Sequence, residues 1–275
     1  MKLAACSCYV RCRFGASATP DQTVRALEEL ARLGLRHVEL SASGSKRVRA
    51  MHAARDRFRF AATHHELDVF AISVSLEGLF SGDEAVRERA FEDFDLAVLT
   101  ASDLGARFVH LRVPRSADGR KARRSESLSV AARITARYGL VLAIEPSAER
   151  AAEAGWAAAA AELIAEADEV NVKAVLDTSP MHEGGADLAA ALELLGGRVA
   201  YVRTADRNSH GRTHLAPGAG QIDWLATLTL LAQHRYTGYL ALQIETDDPA
   251  GVAEDFRSGA GYLQSIADRG GFLLE

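Results

Sequence analysis

Eight times along the 275 residues a short apolar or β-branched run gives way to a longer segment with helical spacing. That alternation is the sequence form of repeated βα units. Strands are predicted near 2–6, 36–41, 69–75, 107–113, 140–146, 172–177, 199–204 and 239–246, with helices between them and after the last. Eight such units in a chain close to the roughly 250 residues of a TIM barrel predict an α/β fold, a single (β/α)8 TIM barrel. An open doubly wound sheet is the alternative. No linker-like stretch divides the chain, so one domain spanning 1–275 is expected.

Local signals mark several boundaries. Thr19-Pro20-Asp21-Gln22 offers an N-cap threonine, a proline at the first helical position and a glutamine at the third. Ala26, Leu27, Leu30 and Ala31 then repeat at helical spacing, and Gly34 is placed to end that helix. Further on, Asp223 precedes a helix carrying Leu225, Leu228 and Ala232 on one face.

Charge and cysteine content narrow the function classes. A formal net charge of −5 gives no electrostatic footprint for nucleic acid or an anionic membrane. The basic run Arg120-Lys121-Ala122-Arg123-Arg124 reads as a solvated helix start or loop. No apolar run reaches the roughly 18 residues of a membrane span, and no signal-peptide pattern opens the chain. Cys6, Cys8 and Cys12 are too few and too crowded for a disulfide framework, so a reducing, cytoplasmic setting is expected and the three read as strand and loop residues. Gly184-Gly185 reads as a turn, since no P-loop lysine or G-x-G-x-x-G context accompanies it, and no nucleotide cofactor is expected.

In barrels of this class the reacting groups stand at the C-terminal ends of the strands. Glu145, Asp177 and Glu245 each close an apolar run there. Acidic groups in such places are paired, metal-bound or functional; the plainer reading is that each caps the next helix or pairs with a basic neighbour. His110, Arg112 and Glu39 are further candidates by strand position, and His64-His65 reads as a surface feature.

Four segments carry a resemblance. Leu142-Ala143-Ile144-Glu145 resembles a fifth-strand glutamate motif and Val175-Leu176-Asp177-Thr178 a sixth-strand aspartate motif. Pro217-Gly218-Ala219-Gly220-Gln221-Ile222-Asp223-Trp224 resembles a P-G-x-G-x-I-D-[FW] loop, and Gly238-Tyr239-Leu240 through Ile244-Glu245 a closing strand. Together they are similar to the xylose isomerase-like TIM barrels, the sugar phosphate isomerase/epimerase group. The resemblance implies a small polyhydroxylated or keto substrate and a divalent metal, Mn2+ or Mg2+, with Glu145, Asp177 and Glu245 among its ligands. It also implies proton transfer by Glu145 and Glu245 through an enediolate, which needs positive charge on the substrate oxygens.

Two positions depart from that pattern. The seventh-strand motif H-x-x-D is here Arg203-Thr204-Ala205-Asp206, so a guanidinium stands where a ligand histidine belongs. The histidine expected three residues after the sixth-strand aspartate is Pro180, with His182 two residues on as a substitute. Arginine stays protonated and does not donate a lone pair. At coordination distance it would repel a divalent ion by several kcal/mol at an effective dielectric of about 20. Either Arg203 points away, or it takes the metal's place, pairing with Asp177 or Glu245 and presenting donors to substrate. Arg203, His182, Arg212 and His214 are the expected substrate-binding residues.

The expected activity is therefore that of an isomerase or epimerase on a small sugar or hydroxy-carbonyl compound. A dehydratase using the same carbanion chemistry, or a ligand-binding barrel with a decayed metal site, are the alternatives. A nuclease reading lacks the histidine-rich zinc site and basic face it requires. No oligomeric state is fixed by the sequence; a homodimer, the commonest case, is the default.

Overall fold

The computed structural model describes residues 1–114, 121–148, 151, 154–183 and 188–275. Eight parallel strands close on themselves in chain order: β1 (Lys2–Ala5), β2 (His37–Ser43), β3 (Asp68–Ser75), β4 (Phe108–Val113), β5 (Val141–Pro146), β6 (Val172–Asp177), β7 (Val199–Thr204) and β8 (Tyr239–Leu242). Closure runs from Lys2 opposite Tyr239 to Ala5 opposite Leu242. The helices are α1 (Cys8–Phe14), α2 (Pro20–Arg32), α3 (Ser45–Ala53), α4 (Arg55–His64), α5 (Glu84–Asp103), α6 (Lys121–Arg137), α7 (Trp156–Ala167), α8 (Thr178–Glu183), α9 (Leu188–Leu195), α10 (Trp224–Gln233) and α11 (Val252–Gly270). This is a (β/α)8 barrel, as the alternation predicts.

The caps explain the sharp element ends. Thr19 and Gln22 form a reciprocal capping box at the start of α2, and Gly34 beyond its end takes a φ of +81°, open to glycine at no steric cost. Asp223 caps α10 by accepting from Ala226 N at 3.0 Å.

Four local expectations are corrected. Cys8 and Cys12 lie on α1 rather than on a strand or loop. In α10 the buried face is Trp224, Leu228 and Leu231, while Leu225 is exposed. Arg124, within the basic run, is buried against Glu166 through two hydrogen bonds of 2.7 and 2.5 Å, so part of that run is a core ion pair. The eighth strand ends at Leu242 rather than 246: Gln243 N makes the last bond to β7, at Thr204 O where that strand ends, and Glu245 N turns to the loop residue His214. Arg120 and Gly184-Gly185 lie outside the described residues. Among the described residues no helix is long and apolar enough to cross a membrane.

Side chains two apart climb the inside of the barrel in layers. The lower layer is an aromatic plug: Phe70 stacks on Tyr239 at 4.3 Å and meets Tyr201 edge-on at 5.3 Å, with Ala143 and Ala241 filling between. One step up on the same strands stand His110, Glu145 and Arg203, so the polar layer rests on a rigid apolar floor.

One loop over the barrel mouth is fixed by Asp206, just past β7. Its backbone bridges Leu215, and its solvent-free carboxylate accepts four N–H donors. Oδ1 takes Arg207 N and Ile222 N at 2.9 and 3.0 Å; Oδ2 takes Gly218 N and the Trp224 indole at 3.0 and 3.1 Å. A Cβ at Gly220 would lie 2.2 Å from Arg207 O and 2.3 Å from Asp206 Oδ1, so only glycine lets this loop close. Asp206→Ala strands several buried donors and is expected to cost on the order of 3 kcal/mol in urea denaturation. An unchanged midpoint would show that the loop is held by other means.

Candidate active site

The polar layer is organised around one guanidinium. Arg203, 4% exposed, projects from β7 between two carboxylates. Its Nη1 donates to Glu145 Oε2 at 2.7 Å, and its Nη2 to both oxygens of Glu39 at 3.1 Å. Glu145 is held on its other oxygen by Arg112 of β4, at 2.8 and 3.1 Å. Glu39 accepts further from the Tyr201 hydroxyl at 2.6 Å and the Ser7 hydroxyl at 2.7 Å. The cluster thus links β2, β4, β5 and β7 across the barrel.

His110 completes it. Its Nδ1 lies 3.2 Å from Arg203 Nη2 and 2.8 Å from Ser73 Oγ. Arginine only donates, so Nδ1 is an acceptor and the proton of the neutral ring sits on Nε2. Nε2 is 3.0 Å from Glu145 Oε2, a close charge contact off the line of a hydrogen bond. Burial, reinforced by the Arg203 charge, pushes the His110 pKa down, which keeps the ring neutral.

The carboxylates behave oppositely to what burial alone dictates. Burial would raise Glu39, yet Arg203, His110, Tyr201 and Ser7 hold it at about 2. Burial would also raise Glu145, yet Arg203, His110 and Arg112 hold it well below the usual carboxylate range. Arg203 is in turn held well above its ordinary value by Glu39, against the effect of its own burial.

Above the cluster opens a cavity of about 450 Å3. Arg203, His110, Arg112, Gln243 and Glu245 stand on its wall together with Ser7 and Ser73. Glu245 is 42% exposed and is held by Arg11 of α1 at 2.5 Å. The buried Nε of Arg203 and Oε1 of Gln243 have no hydrogen-bond partner among the described residues.

The description "Xylose isomerase-like TIM barrel" belongs to the family model that matches residues 27–266. The chain belongs to that family. Solved structures with the same fold include 3-keto-D-glucoside 4-epimerase from E. coli (TM-score 0.75, 20% identity, covering 96% of this chain and 99% of that one). D-psicose 3-epimerase superposes with a TM-score of 0.77 at 18% identity over 97% and 99% of the two chains. A probable 3-DHS dehydratase from Bacillus anthracis does so with 0.74 at 13% over 96% and 99%. No curated protein matches the chain by sequence.

For a xylose isomerase-like barrel the donor set here does not fit a divalent ion. Both oxygens of Glu145 are taken by arginines, and Arg203 stands between Glu145 and Glu39 as a permanent cation. Asp177, 2% exposed, accepts from Ser179 N at 3.1 Å and so caps the turn into α8; its other oxygen is 3.9 Å from His214 Nε2. Among the described residues, no group of three or more His, Cys, Asp or Glu side chains is arranged to hold a metal.

The predicted site residues therefore separate. Glu145 and Arg203 meet directly, and Arg203 and Glu245 share the cavity wall. Arg203 pairs with Glu145 and Glu39 rather than with Asp177 or Glu245. His182 and Arg212 are exposed and lie off the cavity wall. His214 is half-buried beside Asp177, which raises its pKa against the opposing effect of burial. Sequence reasoning ranked Glu39 below the other acids and missed Ser7, Ser73 and the role of Asp206. The one available signal for Glu39 was a charge inside the apolar run Val38-Glu39-Leu40.

Removing the cation leaves the buried Glu39 without a cationic partner and Glu145 with Arg112 alone, so Arg203→Met is expected to cost about 3–5 kcal/mol. The pH dependence should also change sign. In the wild type the folded pKa values are depressed, so their stabilisation is complete above the unfolded values near 4.3 and is lost as pH falls toward 2. Without Arg203, burial raises Glu39, which then has no cationic partner, and acidification from neutral pH should stabilise the variant relative to its own neutral value. Denaturation midpoints across pH 3–8 (a span of about five units) check this; parallel profiles for the two proteins would contradict it.

Proposed function

We propose that this chain is an isomerase of a small hydroxy-carbonyl compound that binds in the cavity above Arg203 and reacts by proton transfer without a divalent ion. The observation that carries the reading is the buried guanidinium on the cavity wall, whose Nε has no hydrogen-bond partner among the described residues. Forming an enediolate places negative charge on the substrate oxygens, and a fixed donor in a dry site stabilises that charge with no reorganisation. Arg203 supplies the charge, and Glu39 and Glu145 hold it in place from behind.

The proton acceptor proposed is Glu245, the carboxylate on the cavity wall. It takes the proton from the carbon next to the carbonyl, the C–H electron pair moves into the new C=C bond, and the carbonyl oxygen becomes the enediolate oxygen. Return of a proton from Glu245, partly exchanged with solvent, to the former carbonyl carbon completes an isomerisation, as the adjacent hydroxyl gives up its proton to become the new carbonyl and the enediolate oxygen takes that proton. One base on one face suffices for that outcome, whereas epimerisation needs a second group on the opposite face. Glu145 was expected as that second group. Its two arginine contacts support a role in orienting Arg203 instead. The folds of a sugar epimerase and of a probable dehydratase are both similar, and the same carbanion leads to dehydration when a leaving group is adjacent.

A second reading, a barrel that binds the same ligand class without turnover, is favoured by one observation: Glu145 has no oxygen free of a cation. Deuterium incorporation from D2O into a panel of ketoses and keto acids separates the two. Exchange is expected in the wild type, unaffected by chelator, and lowered on the order of 10²-fold or more in Glu245→Gln. Exchange that survives in Glu245→Gln removes that residue from the mechanism. Tight binding with no exchange in the wild type supports the second reading.

A further inference from the structure

The charges around the cavity do not balance. Among the described residues, four arginines line it (Arg11, Arg47, Arg112 and Arg203) against one carboxylate, Glu245. Behind the wall, Glu39 and Glu145 neutralise Arg203 and Arg112, and Glu245 neutralises Arg11. Arg47, on the first turn of α3, is left over: no acidic or carbonyl group among the described residues holds it. Its surroundings on the cavity wall include Ala50, Met51 and Phe58, apolar groups that lower the local dielectric and strengthen whatever charge interaction it makes.

The opposite need appears at Gln243. This residue is 5% exposed, stands on the same wall, and its Oε1 has no donor among the described residues. A buried amide oxygen without a donor costs stability, and here a ligand hydroxyl would supply one. The serines Ser7, Ser41, Ser43, Ser73 and Ser75 add hydroxyls along the rim and floor. The volume of about 450 Å3 is that of a pocket for a molecule of monosaccharide size.

We propose that the ligand of this cavity is an anion: a polyhydroxylated molecule of monosaccharide size whose carboxylate or phosphate sits on Arg47 and one of whose hydroxyls donates to Gln243 Oε1. The inference rests on the cavity being the substrate site and narrows its substrate to an acidic class. A guanidinium without an internal counter-ion, on a wall of net positive charge, favours an acid over its neutral analogue. Carboxylate and phosphate share that chemistry, so the experiment tests each.

The test is calorimetric titration of the intact chain with D-glucuronate, D-fructose 6-phosphate, D-glucose and D-fructose, at low and high salt. At least one of the two acids should bind tenfold or more tightly than its neutral analogue, with the advantage falling as salt rises. Arg47→Ala should erase that advantage while leaving the affinity for the neutral sugars unchanged. Because Arg47 has no partner among the described residues, its removal should leave the melting temperature unaltered, and Arg47→Lys should restore part of the preference. Gln243→Leu should weaken acid and neutral sugar alike. Equal affinity for acid and neutral analogue, or a preference that survives Arg47→Ala, overturns the proposal. Acid binding without solvent exchange of substrate protons would instead sink the isomerase reading and leave this anion site standing. Exchange confined to neutral sugars would do the reverse.

Discussion

The buried guanidinium of Arg203 is the interaction on which the rest of the barrel mouth depends. A fixed cation with almost no solvent contact persists only if negative charge surrounds it. Glu39 and Glu145 supply that charge from β2 and β5, so one side chain on β7 ties together strands that never pair in the sheet. An apolar plug would stabilise the barrel at least as well, and one already lies directly beneath, built from Phe70, Tyr201 and Tyr239. The charged layer is therefore not required for packing. It sits at the catalytic end of a (β/α)8 barrel, where a preorganised field has a use.

Much of the fold was legible in the sequence because it is local. Strand positions follow from short apolar runs, and the start of α2 from a four-residue capping signature. The eighth strand was read too long because Ile244 continues its apolar run, although Glu245 beyond it bonds through its backbone to the loop residue His214. The 217–224 loop was legible as a motif, yet its cause was not. Asp206 lies 12 to 18 residues before three of the four donors it gathers, and nothing in its neighbours announces that they converge on one carboxylate.

The site was legible in its members and not in its pairings. Arg203 stands directly opposite Asp177 in the strand register, which makes Asp177 the obvious partner on paper. In space Asp177 turns to Ser179 N, and the long arginine reaches across the barrel to Glu39 and Glu145. Barrel curvature and side-chain length decide that choice, and neither is written in residue spacing. The same holds for Arg47, whose lack of a partner among the described residues is a property of the folded surroundings alone.

A guanidinium differs from a divalent ion in ways that shape the chemistry. It carries one charge rather than two, does not exchange with solvent, and offers hydrogen bonds in fixed directions. Arg112 beside it adds a second unit of positive charge at the rim. The central claim is that Arg203 takes the place of a metal in a xylose isomerase-like barrel. The most direct measurement is the metal content of the protein purified from medium supplemented with Mn2+, Mg2+ and Zn2+, by elemental analysis after removal of loosely bound ions. Trace metal, far below one ion per chain, is the result predicted; a stoichiometric ion retained by the wild type would contradict the account.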